Sequence, residues 1–248
     1  ALEILAAAEG ETAARVVLLR EVARTAAENL GDLGRAFDAQ ARALKDDPAN
    51  ADTRTELEQL ALQANAWDKL DTIFSEIAGS LEDARLAREY WMRLAGIDER
   101  LGKVDDAAQN YQRVLAIDPA DDEALAAMDA LYRRTERWTD LIGVYRRRIE
   151  LATEPHDREA LYAQMAEVYE NKLGRPDEAI AAYREVLALD DTSRVALTAL
   201  DGLFSRQSMW EELAENLEAQ LRLASDEAEQ ILLMLRLAAL RESQMNQI

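Results

Sequence analysis

The chain contains no cysteine. Disulfides, thiolate metal sites and a thiolate nucleophile are therefore excluded. Its one histidine, His156 in "TEPHDRE", has no ligand partners at metal spacing, so no metal centre is expected. His156 reads as a solvent-exposed residue at a helix start. The nine glycines are scattered, and GxxxxGK[ST], GxGxxG and GxSxG are all missing. No cofactor is expected. "GDLG" at 31–34 reads as a helix turn. The carboxylate pairs Asp121/Asp122 and Asp190/Asp191 fall at helix starts, where capping accounts for them. Nothing assembles a nucleophile, a base and an oxyanion donor, so the chain is not expected to be an enzyme.

Long hydrophobic runs are also lacking. The longest falls far short of the roughly 18–20 residues that cross a bilayer, so direct membrane insertion is not expected. No signal peptide is visible. The first residue is Ala rather than Met, which reads as a native start that is missing or removed. Without cysteine the compartment stays open: the cytoplasm is favoured, and the periplasm fits as well.

Proline (4) and aromatic residues (6%) are scarce, and no alternating Val/Ile/Thr run reads as a strand. Ala, Leu, Glu and Arg dominate, all strong helix formers. With 49% hydrophobic residues among 248, the chain can bury a core. Lysine is rare beside arginine, and with so much alanine this reads as a bacterial composition. The net charge of −20 works against binding nucleic acid, where Lys and Arg supply most of the affinity. It also works against anionic membranes. It serves solubility and weakly favours cationic partners.

A repeat is present. "AWDKLDTIF", "RWTDLIGVY" and "MWEELAENL" place Trp67, Trp138 and Trp210 at spacings of 71 and 72 residues. "LGDLGRAFDAQARAL", "LGKVDDAAQNYQRVL" and "LGRPDEAIAAYREVL" begin at Leu30, Leu101 and Leu173, again 71 and 72 apart. Each double unit splits into halves of two helices. In 156–191, Leu161, Met165, Val168, Tyr169 and Leu173 form one helical stripe. Gly174 suits the positive φ that ends a helix, and Pro176 suits a first helical turn. Ile180, Tyr183, Val186 and Leu187 carry the second stripe, and Thr192 or Ser193 is expected to cap the next helix.

Single pairs cannot bury their apolar faces; stacked pairs can. The spacing predicts pairs at roughly 11–48, 49–83, 84–119, 120–155, 156–191 and 192–226. Half-pairs fall at 1–10 and 227–248. "ALEILAAAE" aligns with the close of a Trp-led second helix, and "ILLMLRLAALRESQMNQI" with a first helix lacking its partner. Neither end reads as a polar capping helix. The expectation is a single array excised from a longer one.

These residues resemble the tetratricopeptide (TPR) repeat. In 84–119 the second-helix pattern falls on Val104, Ala107, Tyr111, Val114 and Pro119. In 11–48 it falls on Leu33, Ala36, Gln40, Ala43 and Pro48, and in 156–191 on Pro176, Ala179, Tyr183, Val186 and Asp191. First-helix aromatics match at Tyr132, Tyr162, Tyr169 and Phe204. The Trp-led halves depart: Leu70, Leu141 and Leu213 replace the small residue at the helix crossing, and Asp129 and Asp201 stand where a small residue is usual. The array is degenerate and alternates between two types.

The resemblance implies an all-α fold, a right-handed α-solenoid of antiparallel helix pairs. It implies a protein–protein interaction scaffold that takes a partner peptide or helix in its concave groove. First helices would line that groove. Carried over by position, the candidates are Arg88, Trp91, Ala95, Asp98 and Glu99, then Glu123, Ala126, Ala130, Arg133 and Arg134, then Ala163, Glu167, Glu170 and Asn171. Trp91 would be the apolar anchor and Arg133/Arg134 would pair acidic groups. The recurring Trp residues read instead as packing elements. The alternatives are a structural spacer that self-associates end to end, and a regulatory module of a larger enzyme.

Overall fold

The computed structural model describes residues 2–244. Among them it contains fourteen α-helices and no strand. α1 is Leu2–Ala8, followed by α2 (Thr12–Leu30) with α3 (Leu33–Asp46), α4 (Ala51–Ala64) with α5 (Trp67–Ser80), and α6 (Ala84–Leu101) with α7 (Val104–Ile117). Then come α8 (Asp122–Arg134) and α9 (Trp138–Leu151), α10 (Pro155–Asn171) and α11 (Pro176–Leu189), α12 (Arg194–Gln207) and α13 (Trp210–Leu223), and α14 (Glu227–Ser243). The fold is an all-α helical-repeat solenoid. It divides into two compact units, Ala1–Leu131 and Tyr132–Ile248, and the division falls inside α8.

Local chemistry sets the helix boundaries. Asp32, Asn50, Asp83 and Asp226 each accept a hydrogen bond from the backbone N–H three residues on, satisfying a donor left open by the first turn. The Trp-led helices have no such cap: Ala66, Arg137 and Met209 precede them. At 190–193 the expected cap takes a different form. Ser193 precedes α12 without a side-chain cap bond, and Asp190 accepts from both the backbone N–H and the hydroxyl of Thr192.

Six turns inside pairs share one backbone rule. A left-handed residue stands two positions before the second helix. In the Leu-Gly type it is Gly31, Gly102 or Gly174, with φ of 64°, 73° and 61°. In the Trp-led type it is Asn65, Glu136 or Ser208, with φ of 49°, 55° and 56°. Only glycine takes this conformation without steric cost.

The two pair types also pack differently. Ala36, Ala107 and Ala179 are fully buried where the Leu-Gly pairs cross, and α2/α3, α6/α7 and α10/α11 approach closely along their lengths. Leu70 and Leu213 occupy the crossing in α4/α5 and α12/α13, and those backbones meet over a shorter stretch. A larger side chain at the crossing holds the helices apart.

In the first unit one cluster joins Phe37 and Leu44 of α3, Leu57 of α4, Leu70 and Phe74 of α5, and Tyr90 and Leu94 of α6. Phe74 and Tyr90 meet edge to face, ring centroids 5.2 Å apart, an arrangement worth about 0.5–1.5 kcal/mol beyond area burial. Trp67 opens α5, half-buried against this cluster, and the Arg100 guanidinium lies 4.4 Å from its ring centroid. In the second unit Trp138 opens α9 and Lys172 lies 5.1 Å from its ring centroid. In both places the cation comes from the end of the next first helix. Trp67 and Trp138 are thus each held against a cation of the following repeat. In the second unit Tyr145, Tyr169, Tyr183, Leu200 and Phe204 are buried, as are Leu233 and Leu237 of α14.

Candidate partner-binding groove

A concavity of about 770 Å³ opens in the first unit between α2 and α4. One wall is α2, presenting Val16, Val17, Arg20, Ala23, Arg24 and Ala27. Gln59, Leu60 and Gln63 of α4 form the other, over a floor that includes Leu33 and Gln40. Positions on one wall recur at three and four residues, as a helix face requires.

The 71-residue period explains why the space is here. Counted back one period, Leu94 and Asp98 of α6 correspond to Ala23 and Ala27 of α2. Both alanines line the concavity, Ala23 buried beside Val22 and Ala39, and Ala27 half-buried. One bridge crosses the concavity: Arg20 donates through Nη2 to Glu56 Oε1 at 2.7 Å and through Nε to Oε2 at 3.3 Å. Gln40 supports that carboxylate from below, donating at 2.6 Å, and reaches the Thr53 carbonyl at 3.2 Å. Arg24 pairs with Glu21 along α2. Val17 is left 67% exposed.

The structure distributes the positions expected from sequence differently. Trp91 is half-buried against the α3–α6 cluster, and the Arg113 guanidinium of α7 lies 4.2 Å from its ring centroid. Asp98 is only 1% exposed and lies inside the α6/α7 pair, where Asn110 Nδ2 donates to its Oδ2 at 2.7 Å. It is not a surface group. Ala95 is likewise fully buried. Burial, with the neighbouring Asp71 carboxylate, pushes Asp98 up to about 6 against the pull of the Asn110 hydrogen bond. Glu99 accepts from the Tyr111 hydroxyl at 2.6 Å. Arg88 donates to Asp121 at 2.6 Å and to Glu123 at 2.7 Å. That pair and the Ala124 backbone N–H hold the Asp121 carboxyl below the usual range.

In the second unit Arg133 donates to the Tyr145 hydroxyl, and Glu170 is paired with Arg206. Arg134 is exposed at the end of α8, Glu167 and Asn171 are exposed on α10, and Ala163 there is half-buried. Ala126 and Ala130 are exposed on α8.

Sequence reading missed the reason. Charged positions on the first helices are engaged across repeats: Arg54 with Glu89, Arg93 with Glu58 and Arg88 with Glu123 at separations of 35 residues, and Arg20 with Glu56 at 36. Arg194–Glu229 and Asp201–Arg236 repeat the pattern at 35 residues in the second unit. Opposite charges one repeat apart were the available signal. Arg88, Trp91, Ala95, Asp98 and Glu99 moved back 71 residues become Val17, Arg20, Arg24, Ala27 and Glu28, and all five line the concavity.

Stacked helix pairs with a groove between first helices define a helical-repeat scaffold, a class that works by binding proteins. Tetratricopeptide-repeat family models match residues 89–121, 124–159 and 160–195, which supports a TPR-like repeat. No curated protein matches the sequence. Among solved structures, that of Naa15/Naa10 bound to HypK-THB is similar over 94% of this chain and 34% of that one, at 14% identity and TM-score 0.55. That likeness supports the repeat fold. A MamA structure covers 89% of this chain and 96% of its own at 17% identity and TM-score 0.40. A tetratricopeptide repeat protein from Parabacteroides merdae ATCC 43184 covers 89% and 98% at 17% identity and TM-score 0.38. Among the described residues no group of acidic or histidine side chains could hold a metal ion, and no helix is long and apolar enough to cross a membrane.

Proposed function

We propose that this chain is a non-enzymatic scaffold that holds a segment of a partner protein in the concavity between α2 and α4. The observation that carries this reading is the concavity itself, with apolar side chains open along α2 and α4. A volume of about 770 Å³, flanked by Val16, Val17 and Leu60, is large enough to take several side chains of a bound segment. The Arg20–Glu56 ion pair spans it, and the apolar side chains beside that pair stay open to a bound segment.

A matched pair of substitutions tests it. Val17 and Val195 are each 67% exposed, and only Val17 lines the concavity. Val17→Asp abolishes capture of the partner from native extract, whereas Val195→Asp leaves it intact. Equal loss from both, or from neither, contradicts the assignment.

One observation favours a second mode. Ile231, Leu232, Met234 and Leu235 of α14 are 48–64% exposed, and Ile4 and Leu5 of α1 are 74% and 55% exposed. Uncovered apolar faces at two helices of the array support end-to-end association with further repeats or copies. Sedimentation that shifts with concentration, and stops shifting in Leu232→Glu/Leu235→Glu, supports it. A concentration-independent monomer removes it.

A further inference from the structure

From the charge around the concavity we infer that the segment it accepts is a basic amphipathic helix, with aliphatic side chains on one face and Lys or Arg beside them. The inference rests on the groove reading above and adds the chemistry of the partner.

The floor and walls supply the apolar half. Val16, Val17, Leu33 and Leu60 line the space, and Ala23 and Ala27 open it. The rim supplies the charge. Four carboxylates, Glu21, Glu28, Asp47 and Glu56, stand around it against two guanidinium groups, Arg20 and Arg24. Both arginines are engaged within the rim, Arg20 with Glu56 and Arg24 with Glu21. The rim is thus net acidic, with Glu28 and Asp47 in excess.

The whole chain carries −20 and adds a long-range field of the same sign. An incoming acidic segment meets repulsion at the rim, and a neutral one gains only the apolar floor. A basic segment gains both, and the field speeds its approach. The dimensions fit a helix. Ala13 to Glu28 spans about 22 Å of α2 at 1.5 Å per residue, enough for roughly four turns of a bound helix lying alongside.

The test uses the full chain and two synthetic peptides of about 15 residues, the length that spans this wall. One is an amphipathic leucine–lysine helix, the other its leucine–glutamate counterpart. Binding is read by fluorescence anisotropy, with the fold of each variant checked by circular dichroism. The leucine–lysine peptide binds and the leucine–glutamate peptide does not. Glu28→Gln/Asp47→Asn weakens binding about tenfold, on the scale of two rim charges. Glu211→Gln/Glu215→Gln, which removes the same charge from exposed positions on α13, changes it less than twofold on the same scale. Ala27→Leu fills the hollow wall without changing charge and abolishes binding.

Equal weakening by the two charge-neutralised variants means general attraction to an acidic protein and overturns the inference. So does binding of neither peptide. If the leucine–glutamate peptide binds and Ala27→Leu abolishes it, the groove stands and the basic partner is wrong. If the leucine–lysine peptide binds regardless of Ala27→Leu, the groove itself is wrong.

Discussion

Asn110 of α7 donates its Nδ2 hydrogen to Asp98 Oδ2 at 2.7 Å, inside a helix pair where Asp98 is only 1% exposed. The other carboxyl oxygen, Oδ1, is buried without a hydrogen-bond partner. One donor is too few for an ionised carboxylate away from water. Burial first, then Asp71, therefore push the group up to about 6 from an ordinary 3.8. A raised carboxyl pKa favours the folded state when the proton is on. The contribution is full below about pH 4 and is lost as pH rises through about 6.

The first prediction follows from that sign. The Asp98 contribution to stability falls between about pH 4 and pH 6, by up to ~2–3 kcal/mol for a shift of about two units. Asp98→Asn removes that component. It is more stable than the parent by ~1–2 kcal/mol at pH 7 and gains nothing at pH 4. Urea denaturation at the two pH values reads both effects. An Asp98→Asn variant less stable than the parent at pH 7 contradicts this view of the site.

Trp91 is held rather than offered. With Arg113 over its ring and the α3–α6 cluster beneath it, Trp91→Ala costs ~2–3 kcal/mol of stability, less than a fully buried Trp, and does not change partner binding. Arg113→Ala costs ~0.5–1 kcal/mol through the lost cation–π contact. A stable Trp91→Ala variant that no longer binds would return this residue to the interface.

The two kinds of helix crossing are not interchangeable. Ala107 is fully buried where α6 and α7 approach closely, so Ala107→Leu overpacks the pair and costs ~1–3 kcal/mol. Leu70 is fully buried at the looser α4/α5 crossing, so Leu70→Ala leaves a cavity and costs ~2–5 kcal/mol. Chemical denaturation of both variants checks the pair. If Ala107→Leu stabilises, the close approach is not set by residue size.

The left-handed turn residues give a prediction of opposite sign. Ser208 has φ of 56° in a conformation glycine adopts freely, so Ser208→Gly raises stability by ~0.5–1 kcal/mol. Gly174 has φ of 61°, so Gly174→Ala lowers it by ~1 kcal/mol. Thermal melts of the two variants move in opposite directions. Movement in the same direction contradicts the shared turn rule.

Much of this fold was legible in sequence because it is periodic. Trp67, Trp138 and Trp210 mark the starts of α5, α9 and α13, and the Leu-Gly stretches mark the ends of α2 and α6. The difference between pair types was visible too, in Leu70 against Ala107. The candidate surface was less legible, for two physical reasons. Which charges are drawn into ion pairs between repeats depends on side-chain reach across helices 35 residues apart in sequence, as with Arg93 and Glu58. A hollow depends on what is missing, here bulk at Ala23 and Ala27, and a candidate search that favours large and charged residues passes over alanines.

Site-specific photo-crosslinking tests the scaffold reading most directly. Gln59 lines the concavity from α4, and Gln164 is exposed on α10. A photo-reactive side chain placed at each position in turn reports what lies against it when the partner is bound. The predicted result is an adduct from position 59 and none from 164, with the attached partner peptide rich in Lys and Arg beside aliphatic residues. Adducts from 164 and none from 59 would contradict a partner held between α2 and α4.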